Sequence, residues 1–181
     1  MNTENMTLEQ RLARIEAIEE IRTLKNSYHT LINDTEFDKV SLLFTEDALV
    51  NLGYLMPSEK PVVGRSNIDA AFSSMKTNEK QSQVKQFLHS HIIDLNGPES
   101  ASGTGILYAC YGVRKESYIV AGKYTEVYRK IEHNWLFEKM ELTLYFTVPI
   151  NEGWAGHKRH YLVNSGKIVP DYDKLVPNPP V

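Results

Sequence analysis

The change in hydrophobic spacing along the chain constrains its fold more than any other feature of the sequence. In residues 8–32 apolar side chains recur every three or four positions, which predicts either one long helix or a helix kinked near residues 16–20. Shorter helices are predicted at 36–45 and after Ser66. In the second half of the chain apolar residues alternate with polar ones, which predicts strands. These strands span 86–95, 101–113, 119–131 and 135–148. Helices followed by long strands with short turns indicate an α+β fold containing an antiparallel meander.

The composition excludes several classes of protein. The 181 residues carry 20 basic and 23 acidic side chains, a net charge of −3, which excludes a strongly basic nucleic-acid binder. The single cysteine, Cys110, allows no intrachain disulfide and no zinc site built from cysteines. The N-terminal segment is too charged for a signal peptide, and no apolar run approaches the ~20 residues of a membrane span. We therefore expect a cytoplasmic protein that binds neither nucleic acid nor a membrane.

The last thirty residues differ in character from the rest of the chain. We expect residues 1–148 to form one domain and residues 149–181 to form a C-terminal tail, because the tail is rich in proline and shows little periodicity. The tail either wraps the body or stays disordered. Its Trp154 is a candidate to cap an apolar pocket and contact a substrate.

Two histidines on a predicted strand are the clearest candidates for chemistry. One residue separates His89 from His91, and regular alternation would place both imidazoles on one face, about 6–7 Å apart along the strand. Neutral imidazole suits general-base catalysis and metal binding, so three interpretations are open: acid–base catalysis, a metal pair, or two histidines without a catalytic role. A metal site would need a third ligand, and Asp94 and Glu99 are the carboxylates that follow.

The end of the first helix offers a second group of polar candidates. Tyr28 lies on the apolar stripe of this helix, so its hydroxyl is expected near the interior, where it needs a partner in the protein or on a substrate. Asn33 and Asp34 follow within two turns. They either contribute polar groups to a pocket or end the helix, as such residues commonly do.

Tyrosines on the predicted sheet could form the wall of a pocket. Tyr124, Glu126 and Tyr128 share one face of strand 119–131, and Tyr108 comes from the strand before it. Such a surface suits a ring-shaped organic molecule, although aromatic packing between strands would produce the same pattern.

The last predicted strand contains an isolated carboxylate. Glu138 is the single polar member of a face that also holds Met140. A carboxylate among apolar neighbours would have a raised pKa and would be an acid–base candidate. The alternative is a salt bridge to a basic residue on a neighbouring strand.

Several segments together resemble the SnoaL-like branch of the nuclear transport factor 2-like superfamily. The order and spacing of these segments carry the resemblance over about residues 8–148. They are Ile21–Tyr28, Phe37-Asp38, Leu43–Ala48, Val63–Ile68, the His89 strand, and Gly122–Glu126 with Trp135. Within that branch the chain is most similar to the bile-acid 7α-dehydratases and scytalone dehydratases.

The resemblance implies a cone-shaped α+β barrel, with a curved antiparallel sheet wrapped around N-terminal helices. It also implies catalysis without a cofactor by a Tyr, an Asp and a His. The Tyr matches Tyr28, and the His matches His89, or His91 if the register shifts. The position of the Asp holds Asn33.

From this resemblance we expect a cofactor-independent lyase or isomerase of the dehydratase or cyclase type. His89 would be the general base, Tyr28 would polarise a substrate oxygen, and Asn33 would orient it. The substrate would be a hydrophobic cyclic molecule of polyketide, terpenoid or steroid character. Two alternatives are a non-catalytic ligand-binding or dimerisation domain and a metal-dependent enzyme that uses His89 and His91. The superfamily also leads us to expect a homodimer or homotrimer.

Overall fold

A computed structural model describes residues 6–53, 60–76, 81–113, 116–151, 161–162 and 168–169. The helices are α1 (Leu8–Asn33), α2 (Phe37–Val40) and α3 (Arg65–Lys76), with a 3₁₀ turn at Ser41–Leu43. The strands are β1 (Phe44–Asn51), β2 (Val62–Val63), β3 (Gln81–Leu95), β4 (Ser100–Val113), β5 (Glu116–Ile131), β6 (Asn134–Pro149), β7 (Tyr161–Leu162) and β8 (Ile168–Val169).

Helix α1 is one continuous helix and begins at the predicted residue. Thr7 and Gln10 form a capping box in which each side chain accepts a hydrogen bond from the backbone of the other. The helix packs against the sheet through the apolar residues Ile21, Leu24 and Tyr28. Its buried residues all lie in the C-terminal half.

The helix predicted at 36–45 is much shorter than expected. It ends at Val40 and passes through the 3₁₀ turn, because Phe44 already belongs to β1 and pairs with Phe137 of β6. Burial of Phe44 beside Phe137 takes precedence over helix propensity here.

The sheet confirms the predicted α+β cone and adds one mixed pairing. Six strands lie in the order β2-β1-β6-β5-β4-β3, and β3 to β6 form the expected antiparallel meander. Strand β1 runs parallel to β6, so the sheet is mixed rather than purely antiparallel. The three helices pack on this curved, open sheet.

A bulge in β3 changes which of its side chains face the helices. Leu88 pairs with Leu107 and Ser90 pairs with Ile106, which leaves His89 as an extra residue. Before the bulge the even-numbered residues of β3 face the core, and after it the odd-numbered residues do.

A second bulge has the same effect in β6. Tyr128 of β5 pairs with Phe137, while the preceding Val127 pairs with Lys139. Glu138 is therefore the extra residue, and the inward face of β6 passes from odd to even positions at this point.

None of the described helices is long and apolar enough to cross a bilayer. In the tail, β7 and β8 pair with each other in antiparallel fashion.

Candidate functional site

An apolar pocket lies between the helices and the concave face of the sheet. Its cavity volume is about 70 Å³, which is room for a small group of atoms beyond the open mouth. Helix α1, helix α3 and strands β3, β4 and β5 supply most of its wall. The lining residues are Tyr28, Ile32, Thr35, Phe37, Leu52, Phe72, Met75, Val84, Gln86, Leu107, Ala109, Tyr111, Val120 and Tyr124.

Two phenol groups are among the few polar groups of this wall, beside Thr35, Gln86 and Tyr111. Tyr28 and Tyr124 are both completely buried, and the Tyr124 hydroxyl lies 3.4 Å from Oε1 of Gln86. The Tyr28 hydroxyl lies near that of Tyr124, which influences the pKa of Tyr28. It has no hydrogen-bond partner of good geometry among the described residues. Burial raises the pKa of both phenols, so both hydroxyls stay protonated and can donate hydrogen bonds.

His29 lies directly beside these phenols. Its ring centroid is 5.3 Å from that of Tyr28 and 5.9 Å from that of Tyr124. Neither ring nitrogen has a hydrogen-bond partner among the described residues. Burial, reinforced by the charge of Lys25, lowers the pKa of His29 to about 3, so the imidazole is neutral at physiological pH.

A buried polar network lies behind the two phenols. The ammonium of Lys25 is 2.5 Å from Oε1 of Glu126, and the Tyr128 hydroxyl donates to Oε2 of Glu126 at 2.5 Å. His91 Nε2 contacts the same Tyr128 hydroxyl at 2.9 Å. A Cβ at position 103 would lie 3.0 Å from the Tyr128 ring, so Gly103 provides the space that this network needs.

In this network the pKa values of Glu126 and Lys25 depend on each other. Burial would raise the pKa of Glu126, but the charge of Lys25 and hydrogen bonds from His91, Lys25 and Tyr128 hold it at about 2. Burial lowers the pKa of Lys25, and Glu126 opposes that effect. The two groups are therefore a buried ion pair that joins α1 to β5.

The structure places the three polar candidates at the end of α1 in different surroundings. Tyr28 lines the pocket. Asn33 donates to the backbone carbonyl of Gln86 at 2.9 Å and accepts from its N–H at 2.7 Å, so its side chain fastens α1 to β3. Asp34 is exposed and forms the C-cap of the helix. It does not line the pocket.

The expectation that both imidazoles of the β3 pair share a face is wrong. His89 is the extra residue of the bulge, is exposed, and packs edge-on to Tyr108 on the outer side of the sheet at 5.9 Å. His91 faces inward to Tyr128. The two residues therefore cannot share a metal ion, and no three His, Cys, Asp or Glu side chains cluster as a metal site in the part of the chain that is described.

The bulge in β6 similarly corrects the prediction for Glu138. This residue is half-buried rather than isolated on an apolar face, and its Oε1 lies 3.6 Å from Arg129 of the neighbouring strand. The salt-bridge alternative is therefore the one observed. Met140 is completely buried in the core and does not line the pocket.

The tyrosines predicted on the sheet divide between three places. Tyr124 lines the pocket, and Tyr128 is buried in the network behind it. Tyr108 points to the outer side of β4, where it meets His89. Trp154 lies outside the described residues.

Three residues of the site were not among the predicted ones. Lys25 falls on the same helical stripe as Ile21 and Tyr28, so its spacing could have identified a buried lysine. His29 directly follows Tyr28 in sequence, but nothing in the pattern distinguishes it from a surface histidine. Gln86 is the inward residue of β3 at the level of the pocket, which becomes evident only once the bulge at His89 is known.

Solved structures with the same fold include proteins named as a dehydratase, a dehydrochlorinase and a hydroxylase. A putative scytalone dehydratase from Novosphingobium aromaticivorans is 18% identical, with a TM-score of 0.66 over 75% of this chain and 89% of that one. A hexachlorocyclohexane dehydrochlorinase, LinA-type3 from Novosphingobium barchaimii, is 14% identical, with a TM-score of 0.66 over 84% and 98%. A putative aromatic ring hydroxylase from N. aromaticivorans is 21% identical, with a TM-score of 0.63 over 80% and 96%. At these identities the likeness establishes the fold alone.

No curated protein matches the chain significantly. A family profile described as a SnoaL-like domain matches residues 13–141, which include most of α1, all of α2, α3 and β1 to β5, and half of β6. Together with the cone-shaped fold, this match shows that the chain belongs to the SnoaL-like family.

Proposed function

We propose that this protein is a cofactor-independent lyase or isomerase that acts on an apolar ring compound with a carbonyl or hydroxyl oxygen. The observation that carries the proposal is the Tyr28 hydroxyl, which is buried in the wall of an apolar pocket without a satisfied hydrogen bond. Leaving a buried hydroxyl unpaired costs free energy that a ligand oxygen would recover. The names of similar structures, a dehydratase and a dehydrochlorinase, also support elimination chemistry.

The two tyrosines are suited to bind the two oxygens of a β-hydroxy ketone. One protonated hydroxyl donates to the carbonyl oxygen and stabilises the negative charge that develops when the adjacent carbon loses a proton. The second donates a hydrogen bond to the hydroxyl group that leaves. The proton removed from the α-carbon is passed to this hydroxyl group, which departs as water, so the protein returns to its starting protonation state. Because their pKa values are raised, both phenols are donors at neutral pH.

We assign the proton-accepting role to His29. It is the imidazole adjacent to both Tyr28 and Tyr124, and its neutral ring carries a free lone pair. Its ring lies beside the two phenols rather than in the pocket wall, and its low pKa makes it a weak base while the pocket is empty. A developing oxyanion nearby would raise that pKa, so proton transfer and charge development on the oxygen would occur together.

A fused-ring β-hydroxy ketone, 3-hydroxy-1-tetralone, tests this proposal. Loss of an α-proton and of the hydroxyl as water, followed by tautomerisation, gives fluorescent 1-naphthol. We expect turnover by the wild-type protein and about 10²–10³-fold slower turnover by Tyr28→Phe. The matched control is His89→Ala, which changes an exposed histidine on the outer face and should leave the rate unchanged. Equal rates for Tyr28→Phe and wild type would contradict the proposal.

A second candidate function is ligand binding without catalysis. The observation that favours it is that the described residues of the pocket wall include no acidic or basic side chain. In addition, Asn33 is engaged with the backbone of β3 rather than directed at the pocket. This candidate predicts that the tetralone probe binds, as measured by calorimetry, and is recovered unchanged.

A further inference from the structure

The N-terminal half of α1 carries an apolar stripe that the described part of the protein leaves exposed. Leu8, Leu12 and Ile15 are 79%, 53% and 58% exposed. Sixteen residues separate Leu12 from the buried Tyr28, which turns an α-helix by a net 160° or so. Leu12 therefore points away from Tyr28, whereas Leu8 and Ile15 point within about 60° of the buried His29. The stripe is exposed because it precedes Ile21, the first buried residue of α1.

The spacing of the stripe is that of a two-helix seam. The intervals of four and then three residues place Leu8 and Ile15 at d positions and Leu12 at an a position of a heptad repeat. The next a and d positions hold Glu19 and Arg22, which form an ion pair with each other within the helix. The apolar seam thus ends after two turns and gives way to polar residues.

The charges beside the stripe favour a second copy of α1 as its partner. In the same heptad Arg11 is at a g position and Glu16 at the following e position, and neither has an ion-pair partner among the described residues. In parallel paired helices, a g residue meets the e residue five positions later on the other helix. An antiparallel pair would instead oppose Arg11 to arginine and Glu16 to glutamate.

We propose that α1 pairs in parallel with α1 of a second copy of this chain. Leu8, Leu12 and Ile15 pack against their equivalents, and Arg11 forms an ion pair with the partner's Glu16. The contact uses the N-terminal half of α1, which contains none of the buried residues of this helix. The pocket is not part of this contact, so the inference stands independently of the proposed function.

Sedimentation equilibrium of the full chain tests whether this stripe forms a dimer contact. We expect a concentration-dependent dimer for the wild type and a monomer with an unchanged circular dichroism spectrum for Leu12→Lys, since Leu12 makes no core contact. A dimer that survives Leu12→Lys would place the interface elsewhere and overturn the proposal. A monomeric wild type would overturn the proposal as well. That result would mean that residues 152–181, an unrelated protein or nothing covers the stripe.

Cysteine crosslinking tests the direction of the pairing. In a Cys110→Ser background, Leu8→Cys, Leu12→Cys and Ile15→Cys should each form a disulfide-linked dimer under mild oxidation, because equivalent a and d positions meet in a parallel pair. Arg14→Cys is the matched control, since its c position faces away from the seam. Crosslinking at a single one of the three positions would indicate an antiparallel pair and contradict the proposal.

Charge reversal tests the specific ion pair. Arg11→Glu or Glu16→Arg alone should weaken dimerisation about two- to thirtyfold, because each dimer contains two such pairs. The double variant restores opposite charges and should regain most of the affinity. Failure of the double variant to recover, with both single variants weakened, would show that the two side chains do not meet.

Discussion

The Lys25 ammonium lies 2.5 Å from the Glu126 carboxylate, and both side chains are completely buried. The same ammonium lies over the face of the buried Tyr124 ring, 3.4 Å from its centre. The ion pair therefore joins α1 to β5 and supports one of the two phenols that line the pocket. Burying either charge costs desolvation free energy, which the attraction of the opposite charge offsets, so removing one leaves the other unfavourably buried.

Removing one member of this pair should destabilise the fold strongly. Lys25→Met leaves the Glu126 carboxylate buried without its counter-ion, and we expect a loss of about 3–5 kcal/mol in the free energy of unfolding. The double variant Lys25→Met/Glu126→Gln should be more stable than the single one, because no charge is then left unpaired. Urea denaturation measures both, and a loss below about 1 kcal/mol in the single variant would argue against a buried pair.

His29 should make the protein sensitive to mild acid. Its pKa falls from the model-peptide value of 6.5 to about 3 in the folded state, so the unfolded chain binds more protons between these two values. Stability therefore rises with pH across that window and is lost as pH falls from 6.5 towards 3, at up to about 1.4 kcal/mol per pH unit.

The His29→Gln variant should show a flatter pH dependence of stability between pH 4 and pH 6.5 than the wild type. His133→Gln is the matched control, because His133 is exposed in the turn between β5 and β6. Urea midpoints at several pH values measure the effect. Identical slopes for wild type and His29→Gln would mean that another group causes the acid sensitivity.

Tyr28→Phe should weaken ligand binding without lowering the stability of the fold. The substitution removes a buried hydroxyl that lacks a satisfied hydrogen bond, so we expect the free energy of unfolding to stay the same or to rise by up to about 1 kcal/mol. Affinity for 1-tetralone should fall about three- to tenfold, whereas affinity for the hydrocarbon tetralin should not change. A large drop in thermal stability would show that the hydroxyl has a structural partner.

Filling the pocket should abolish binding without unfolding the protein. Ala109 is a small residue of the pocket wall on β4, and Ala109→Phe would occupy the space of a ligand ring. The matched control is Cys110→Phe, one residue along on the outer face of the same strand. Calorimetric titration with 1-tetralone should detect binding in the control alone, and binding to Ala109→Phe would place the ligand elsewhere.

The helix and the four long strands could be predicted because their apolar spacing is regular. Thr7 and Gln10 mark the start of α1, and the two turn residues Glu132 and His133 separate β5 from β6. The face that each strand directs at the pocket was less predictable. One extra residue in a strand reverses the alternation beyond it, and neither His89 nor Glu138 carries a local signal that marks it as a bulge.

The candidate site was predicted in part for the same reason. Tyr28 and Tyr124 lie on uninterrupted patterns, and both line the pocket. We expected His89 at the pocket wall. The bulge directs His89 outward to Tyr108, and Gln86 is the β3 residue that lines the wall instead. The role of Lys25 depends on Glu126, 101 residues later, and such a long-range pairing leaves no trace in local spacing.

The hydrogen bond from Tyr28 to a ligand oxygen is the central claim, and the carbon-13 shift of a bound carbonyl measures it most directly. 1-Tetralone labelled at its carbonyl carbon would be titrated with wild type and with Tyr28→Phe. A hydrogen bond to the oxygen draws electron density from this carbon, so we expect a downfield shift on binding to the wild type that is smaller with Tyr28→Phe. Equal shifts with the two proteins, both saturated with ligand, would contradict it.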